Sequence, residues 1–322
     1  MVGAGAWGTA LAIIAAGNAT KVLLWAREPE VAESIAQSRE NKHFLAGVVI
    51  PDPVEPSLDI ARIAQAEAVL LVAPAQHVRS VLEKMKPHVK AGTPVVLCAK
   101  GIETGTGLLL TETLQAILPE AEPAILSGPS FARDVARGLP TAVTIAARPG
   151  IAKRLQASLS RPGFRPYASE DLIGVALGGA AKNVYAIACG MVEGAGMGES
   201  ARAATISRGF AELMRLGAAL GGRTETLIGL SGLGDLVLTA TSMSSRNFSL
   251  GFALGQGARL ADVSGSGRPL AEGAATAPAL VARARRHGVE LPIAEGVAAV
   301  LDGRLGVRDA AERLLARPLK PE

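Results

Sequence analysis

Hydrophobic and polar positions follow two different rhythms along the chain. In the first half, short apolar runs (Val22–Trp25, Ala68–Val72, Pro94–Cys98, Ala124–Leu126 and Ala142–Ala146) are bounded by Gly, Pro or charged residues. Between them lie amphipathic stretches, Glu30–Gln37, His77–Met85 and Leu108–Ile117, with helical spacing. Strands apolar throughout and separated by helices predict a parallel sheet covered on both faces, the doubly wound α/β pattern. From about Glu170 the rhythm changes. Leu172–Met191, Arg202–Ala219, Pro269–Arg286, Ile293–Leu301 and Val307–Leu315 are rich in Ala, Gly and Leu at helical spacing. The second half is therefore predicted to be helical, and the boundary falls at the Phe164–Ser169 segment. This divides the chain into domains 1–168 and 169–322.

Composition narrows the class. A chain of 322 residues can bury two cores, and 49% hydrophobic with 19% charged residues excludes a disordered protein. Aromatics make up only 3%, which removes the stacking platforms that single-strand nucleic-acid binders need. The net charge of +4 comes from scattered Lys and Arg, which suits a small phosphorylated ligand better than a nucleic-acid partner. Cys98 and Cys189 sit in apolar contexts without metal-ligand spacing, and the four histidines are dispersed, so no metal site is expected. No signal-type segment is seen, and no apolar run reaches the roughly 18 residues of a membrane span. A cytoplasmic protein without an integral membrane segment is expected, and a homodimer is compatible with the sequence.

Several segments carry candidate chemistry. Gly3-x-Gly5-x-x-Gly8, followed by the small apolar stretch Thr9–Ala16, has the form of a dinucleotide-binding turn. Such a turn offers the N–H groups of a helix start to a pyrophosphate. The motif alone is weak in a glycine-rich chain, and only Met1 and Val2 precede it, so its leading strand is shortened or unusually brief. Trp25-Ala26-Arg27-Glu28 ends the next strand. Arg27 there favours the 2′-phosphate of NADP, while Glu28 keeps NAD open. Lys100 follows a buried strand at the edge where α/β sheets bind ligands, either as a ligand group or as a solvated lysine. Ser127-Gly128-Pro129-Ser130-Phe131-Ala132 follows another strand, and Pro129 and Ser130 fit a helix start. Lys182 lies within an apolar helix, either on a solvated stripe or buried with a partner that lets its pKa shift. Asp235 is the natural partner, and Arg246 with Asn247 offers a donor fork suited to phosphate.

Taken in order, GAGAWGTALA, NKHFLAGVVIP, CAKGIE, SGPSFA, AAKNVYAIACG, ARAATISRG, GLSGLGDLVLTAT and SSRN-x5-LGQG closely resemble the NAD(P)-dependent sn-glycerol-3-phosphate dehydrogenases of bacteria. The resemblance runs from Gly3 to about Glu295. It implies a Rossmann-like domain joined to a helical domain of the 6-phosphogluconate-dehydrogenase-like type, with the active site between them. It also implies NADP or NAD as cofactor and interconversion of glycerol 3-phosphate and dihydroxyacetone phosphate, feeding phospholipid synthesis. By position, the resemblance makes Lys182 the proton acceptor, with Lys100 and Asp235 beside it. It lines the substrate with Lys100, Gly128, Ser130, Lys182, Asn183, Asp235, Thr239, Ser245, Arg246 and Asn247. Matching cofactor positions are Gly3, Gly5, Ala6, Trp7, Gly8, Arg27, Phe44, Lys100, Ala132, Arg246, Leu270 and Glu272. Asp134, Ala181 and Phe44 depart from the usual glutamate, leucine and tyrosine, and Phe44 lacks a hydroxyl that could meet the cofactor.

Two other readings compete. A related two-domain hydroxyacyl or sugar-acid dehydrogenase has the same outline, but the hydroxyacyl type needs a histidine, and the second half holds only His287. A non-catalytic NADP-binding sensor would have no use for both Lys100 and Lys182.

Overall fold

The computed structural model describes residues 1–19, 21–263 and 271–318. The chain forms two compact units, Met1–Ala99 with Leu108–Ala176, and Lys100–Gly107 with Leu177–Glu322. The division between these units falls at 176/177, inside a helix. Residues 100–107 join the helical unit, a regrouping that periodicity along the chain cannot reveal.

The first unit holds strands β1 (Val22–Trp25), β2 (Glu40–Asn41), β3 (Leu45–Val49), β4 (Val54–Ser57), β5 (Val69–Leu71), β6 (Pro94–Leu97), β7 (Glu122–Ser127), β8 (Thr141–Ala146) and β9 (Phe164–Ser169). Its helices are α1 (Ala6–Ala15), α2 (Pro29–Ser38), α3 (Val78–Met85), α4 (Leu110–Ile117), α5 (Ala132–Ala136) and α6 (Pro149–Leu159). β4 pairs with β1 and β5 through β9 pair in order, while Val2 bridges Trp25 on one side and Leu71 on the other. One residue thus does the work of a strand. Its N–H donates to the Leu70 carbonyl at 2.8 Å, and its carbonyl accepts from Val72 at 2.8 Å.

The sheet is not wholly parallel as expected. β8 runs antiparallel to β7. The connection between them, residues 128–140, contains the short helix α5 (Ala132–Ala136) and no long crossover helix of the kind that joins parallel neighbours. The β2–β3 hairpin was not predicted: β2 is only the two polar residues Glu40–Asn41, and Gly47 interrupts the apolar β3. Helix α1 is buried on several sides. Leu11 and Ile14 join one core with Val96, Leu126 and Ile145, while Ala12 joins another with Leu24, Ile35 and Val54.

The second unit is helical: α7 (Leu172–Gly194, which begins in the first unit), α8 (Glu199–Leu220), α9 (Thr224–Leu227), a π-turn at Leu230–Gly234, α10 (Asp235–Ala240), α11 (Arg246–Gly255), α12 (Leu260–Val263), α13 (Glu272–Arg286), α14 (Pro292–Leu301) and α15 (Val307–Leu315). The expected helix from Pro269 is seen from Glu272 onward, its first residues lying outside the described ones. α7 corrects the expectation that no apolar stretch reaches the length of a membrane span. By length and apolarity it could cross a membrane, but 89% of its most apolar window is buried within the fold. Gly190 and Gly194 of α7 meet Gly251 and Gly255 of α11 so closely that a Cβ at any of the four would strike backbone. Glycine at both spacings brings the two backbones together and sets the register of everything one turn away.

Candidate active site

The glycine turn divides its labour as the motif requires. Gly3 has φ +115°, and a Cβ there would lie 2.8 Å from the Val72 carbonyl oxygen. A Cβ at Gly8 would collide with the Gly3 carbonyl, so helix and turn can close only on glycine. Gly5 faces open space, with nothing within 4 Å of where a Cβ would sit. No side chain caps α1, whose first residues are Ala6, Trp7 and Gly8, so its first-turn N–H groups stay available. The Trp7 indole N–H is buried without a hydrogen-bond partner among the described residues. An open approach, uncapped amides and an orphaned donor fit the pyrophosphate of a dinucleotide. At the neighbouring strand end, Arg27 is largely exposed and paired with Glu28. Phe44 is half exposed in the hairpin turn.

The segment after β7 differs from expectation. Helix α5 starts at Ala132 with Phe131 as its uncapped N-cap residue. Ser130 is therefore not a cap; its hydroxyl donates to the Gly128 carbonyl at 3.0 Å. Gly128 has φ +146°, and a Cβ there would lie 2.8 Å from the Val143 Cα. This close approach to β8 sets the turn.

In the second unit, α7 is largely apolar and carries Lys182, which is 6% exposed, with the buried Asn183 beside it. Of the two sequence readings, the buried one holds. The π-turn reaches it because Gly178, one helical turn earlier, leaves room: a Cβ there would lie 2.6 Å from the Ser231 carbonyl oxygen. Four residues after Ser231, Asp235 opens α10 opposite Lys182. The Lys182 ammonium donates to Asp235 Oδ1 at 2.9 Å and to the Thr239 hydroxyl at 2.7 Å. Lys100 donates to Asp235 Oδ2 at 2.7 Å. One carboxylate, 1% exposed, thus holds two ammonium groups. Lysine has three N–H donors, so Lys182 keeps one for a ligand.

Burial dominates the electrostatics. It pushes Lys182 down to about 8, assisted by the Lys100 charge and opposed by Asp235 and Glu272. Burial also works against ionised Asp235, but the two lysines overcome it and hold the carboxyl below its ordinary value.

A second set of polar groups supports the first. The Asn183 amide donates to the Lys100 carbonyl at 3.1 Å, and Asn247 donates to Asn183 Oδ1 at 2.9 Å. Asn247 Oδ1 accepts the Gly273 N–H at 2.9 Å, in the first turn of α13 beside Glu272. The α7–α11 glycine crossing brings the two asparagines into register. Ser245 caps α11 by accepting from Phe248 N–H at 3.2 Å, and Arg246 is exposed at the first helical position. Sequence reasoning missed the Lys100–Asp235 pair and the amide chain, since no local signal links positions so far apart. Leu270 lies outside the described residues.

Two family models cover the chain: the NAD-dependent glycerol-3-phosphate dehydrogenase N-terminus at residues 1–151 and the corresponding C-terminus at residues 171–312. The chain belongs to the NAD(P)-dependent glycerol-3-phosphate dehydrogenase family. It is 55% identical to glycerol-3-phosphate dehydrogenase [NAD(P)+] of Parvibaculum lavamentivorans, covering 100% of this chain and 97% of that protein. Among solved structures it resembles the glycerol-3-phosphate dehydrogenase of Coxiella burnetii, with TM-score 0.93, 37% identity and 98% of each chain covered. The Saccharomyces cerevisiae enzyme of the same name gives TM-score 0.85 and 26% identity over 97% of each chain. Family membership sets aside the hydroxyacyl and sugar-acid alternative, and the expected Rossmann-like and helical halves are present.

Proposed function

We propose that the buried Lys182–Asp235–Thr239 cluster moves the proton in the family's reaction, the reversible interconversion of sn-glycerol 3-phosphate and dihydroxyacetone phosphate with NAD or NADP. When bound, the nicotinamide supplies or accepts the hydride at the substrate's C2. Reduction leaves an alkoxide that Lys182 protonates; in reverse, neutral Lys182 takes the C2 hydroxyl proton. Asp235 and Thr239 orient that ammonium, and Lys100 adds positive charge where the carbonyl oxygen gains electron density. Arg246, exposed at the α11 N-terminus, is the candidate anchor for the substrate phosphate, with Ser245, Asn183 and Asn247 beside it. Gly128 and Ser130 complete the proposed substrate contacts. The Gly3–Gly8 turn would hold the cofactor with Arg27, Phe44, Ala132, Leu270 and Glu272. The proposed role in the cell is supply of glycerol 3-phosphate for phospholipid synthesis in the cytoplasm.

The observation that carries this reading is a lysine buried in an apolar helix with its pKa brought to about 8. A non-catalytic sensor would gain nothing from burying that charge. Initial rates of NADPH and NADH oxidation with dihydroxyacetone phosphate test it directly. Both substrate-dependent rates are expected, with NADPH preferred. Arg27→Ala should raise the KM for NADPH about tenfold by removing a charge-assisted contact and leave NADH nearly unchanged. A folded protein without substrate-dependent oxidation would restore the sensor.

The lysine also sets a pH dependence whose sign differs between directions. Reduction needs protonated Lys182, so its kcat should fall as pH rises through about 8. Oxidation of glycerol 3-phosphate needs the neutral amine and should rise over the same interval. Parallel limbs in the two directions would rule Lys182 out as the proton carrier.

A further inference from the structure

Of the NKHFLAGVVIP segment only Phe44 enters the reading above, yet the segment's first residue is a fully buried asparagine. Asn41 ends β2 and has 0% exposure. Its Nδ2 donates to the Ala4 carbonyl at 2.8 Å and to the Thr9 hydroxyl at 2.8 Å. Its Oδ1 accepts the Phe44 N–H at 3.1 Å. The amide can sit only this way round, because the Ala4 carbonyl only accepts and the Phe44 N–H only donates.

The three partners belong to three different pieces of one site. Ala4 lies between Gly3 and Gly5, Thr9 stands in α1 behind the turn, and Phe44 ends the hairpin turn. Thr9 closes the triangle by donating to the same Ala4 carbonyl at 3.4 Å. Among the described residues, the β2–β3 hairpin pairs with itself and not with the main sheet. Ladder bonds therefore cannot fix its position against the glycine turn. Other side-chain ties lead elsewhere: Ser34 of α2 donates to the Glu40 carbonyl at 2.8 Å.

We propose that Asn41 is a positioning residue for the dinucleotide, holding the Gly3–Gly8 turn and the Phe44 turn in one arrangement before the cofactor arrives. The inference rests on the reading of that turn as the NAD(P) site. It assigns a role to a side chain that has no free surface to touch the cofactor itself. A site formed in advance spares the ordering that binding would otherwise impose. Loosening it should appear in cofactor affinity and leave the chemistry of the loaded enzyme alone.

The test is NADPH affinity, measured by quenching of tryptophan fluorescence, together with steady-state kinetics at saturating NADPH. Asn41→Asp keeps the acceptor for Phe44 and loses both donors; Asn41→Ala loses all three bonds. Both variants should bind NADPH about tenfold more weakly, the equivalent of one lost hydrogen bond. The kcat and the KM for dihydroxyacetone phosphate should stay within about twofold, since no transition-state contact is removed. A role in stability alone would lower the melting temperature and active fraction while leaving the Kd of folded protein unchanged. An unchanged Kd in either folded variant overturns the proposal, as does a fall in kcat without a change in Kd. If both variants fail to fold, Thr9→Val decides: weaker NADPH binding supports the positioning role and unchanged binding overturns it. Wild-type protein that binds neither NADPH nor NADH would instead sink the dinucleotide reading itself.

Discussion

Lys182→Ala is expected to lower kcat for dihydroxyacetone phosphate reduction by about 10²- to 10⁴-fold, the usual contribution of a positioned proton donor. The dissociation constant for NADPH should stay nearly unchanged, because the turn proposed to bind it belongs to the other unit. Removing the side chain leaves Asp235 paired with Lys100 at 2.7 Å, so the carboxylate is not stranded and the protein should fold. Lys182→Arg separates charge from proton transfer. Guanidinium preserves the positive charge but does not release its proton in this pH range, so it should also be inactive. Initial rates with a parallel fluorescence titration measure both effects. Near wild-type turnover in Lys182→Ala would remove this residue from the mechanism.

The second large effect is expected at Asp235. It is 1% exposed and joins both lysines, so Asp235→Asn leaves two ammonium groups in a buried place without their shared carboxylate. Breaking a buried pair from one side typically costs about 3–5 kcal/mol, and urea denaturation should show a loss of that order. The catalytic consequence has a definite sign. Burial lowers the Lys182 pKa and Asp235 raises it, so without the carboxylate the value drops below about 8. Reduction at neutral pH should then lose its proton donor, with kcat down about 10²-fold or more and the remaining activity shifted to lower pH. A stable Asp235→Asn protein with the wild-type pH profile would show that Asp235 does not control this lysine.

How much of this could be read along the chain depends on how local each feature is. The glycine turn spans six residues, and sterics require glycine at Gly3 for its positive φ and at Gly8 for its contact with the Gly3 carbonyl, while Gly5 faces open space. The apolar strands β1, β5, β6, β7 and β8 and the long helices declare themselves by periodicity, since each buries a face through its own spacing. Family motifs in order specified the reaction. The reversal of β8 was not legible, because strand direction depends on where the chain returns and not on the strand's own composition.

The surroundings of Lys182 were decided only in three dimensions. A single lysine in a largely apolar helix is consistent with a solvated stripe or a buried charge, and the two have different pKa consequences. Gly178 and the π-turn settle it by bringing Asp235, 53 residues away in sequence, to 2.9 Å. The same holds for Asn41, whose role exists only because a separate hairpin folds against the glycine turn. By itself, the sequence determined most of the elements and the family, and it named the candidate site residues, since these depend on local sterics and ordered motifs. The tertiary structure alone decided which charges are buried together. A pKa is set by burial and by neighbours from distant helices, and no stretch of sequence contains both.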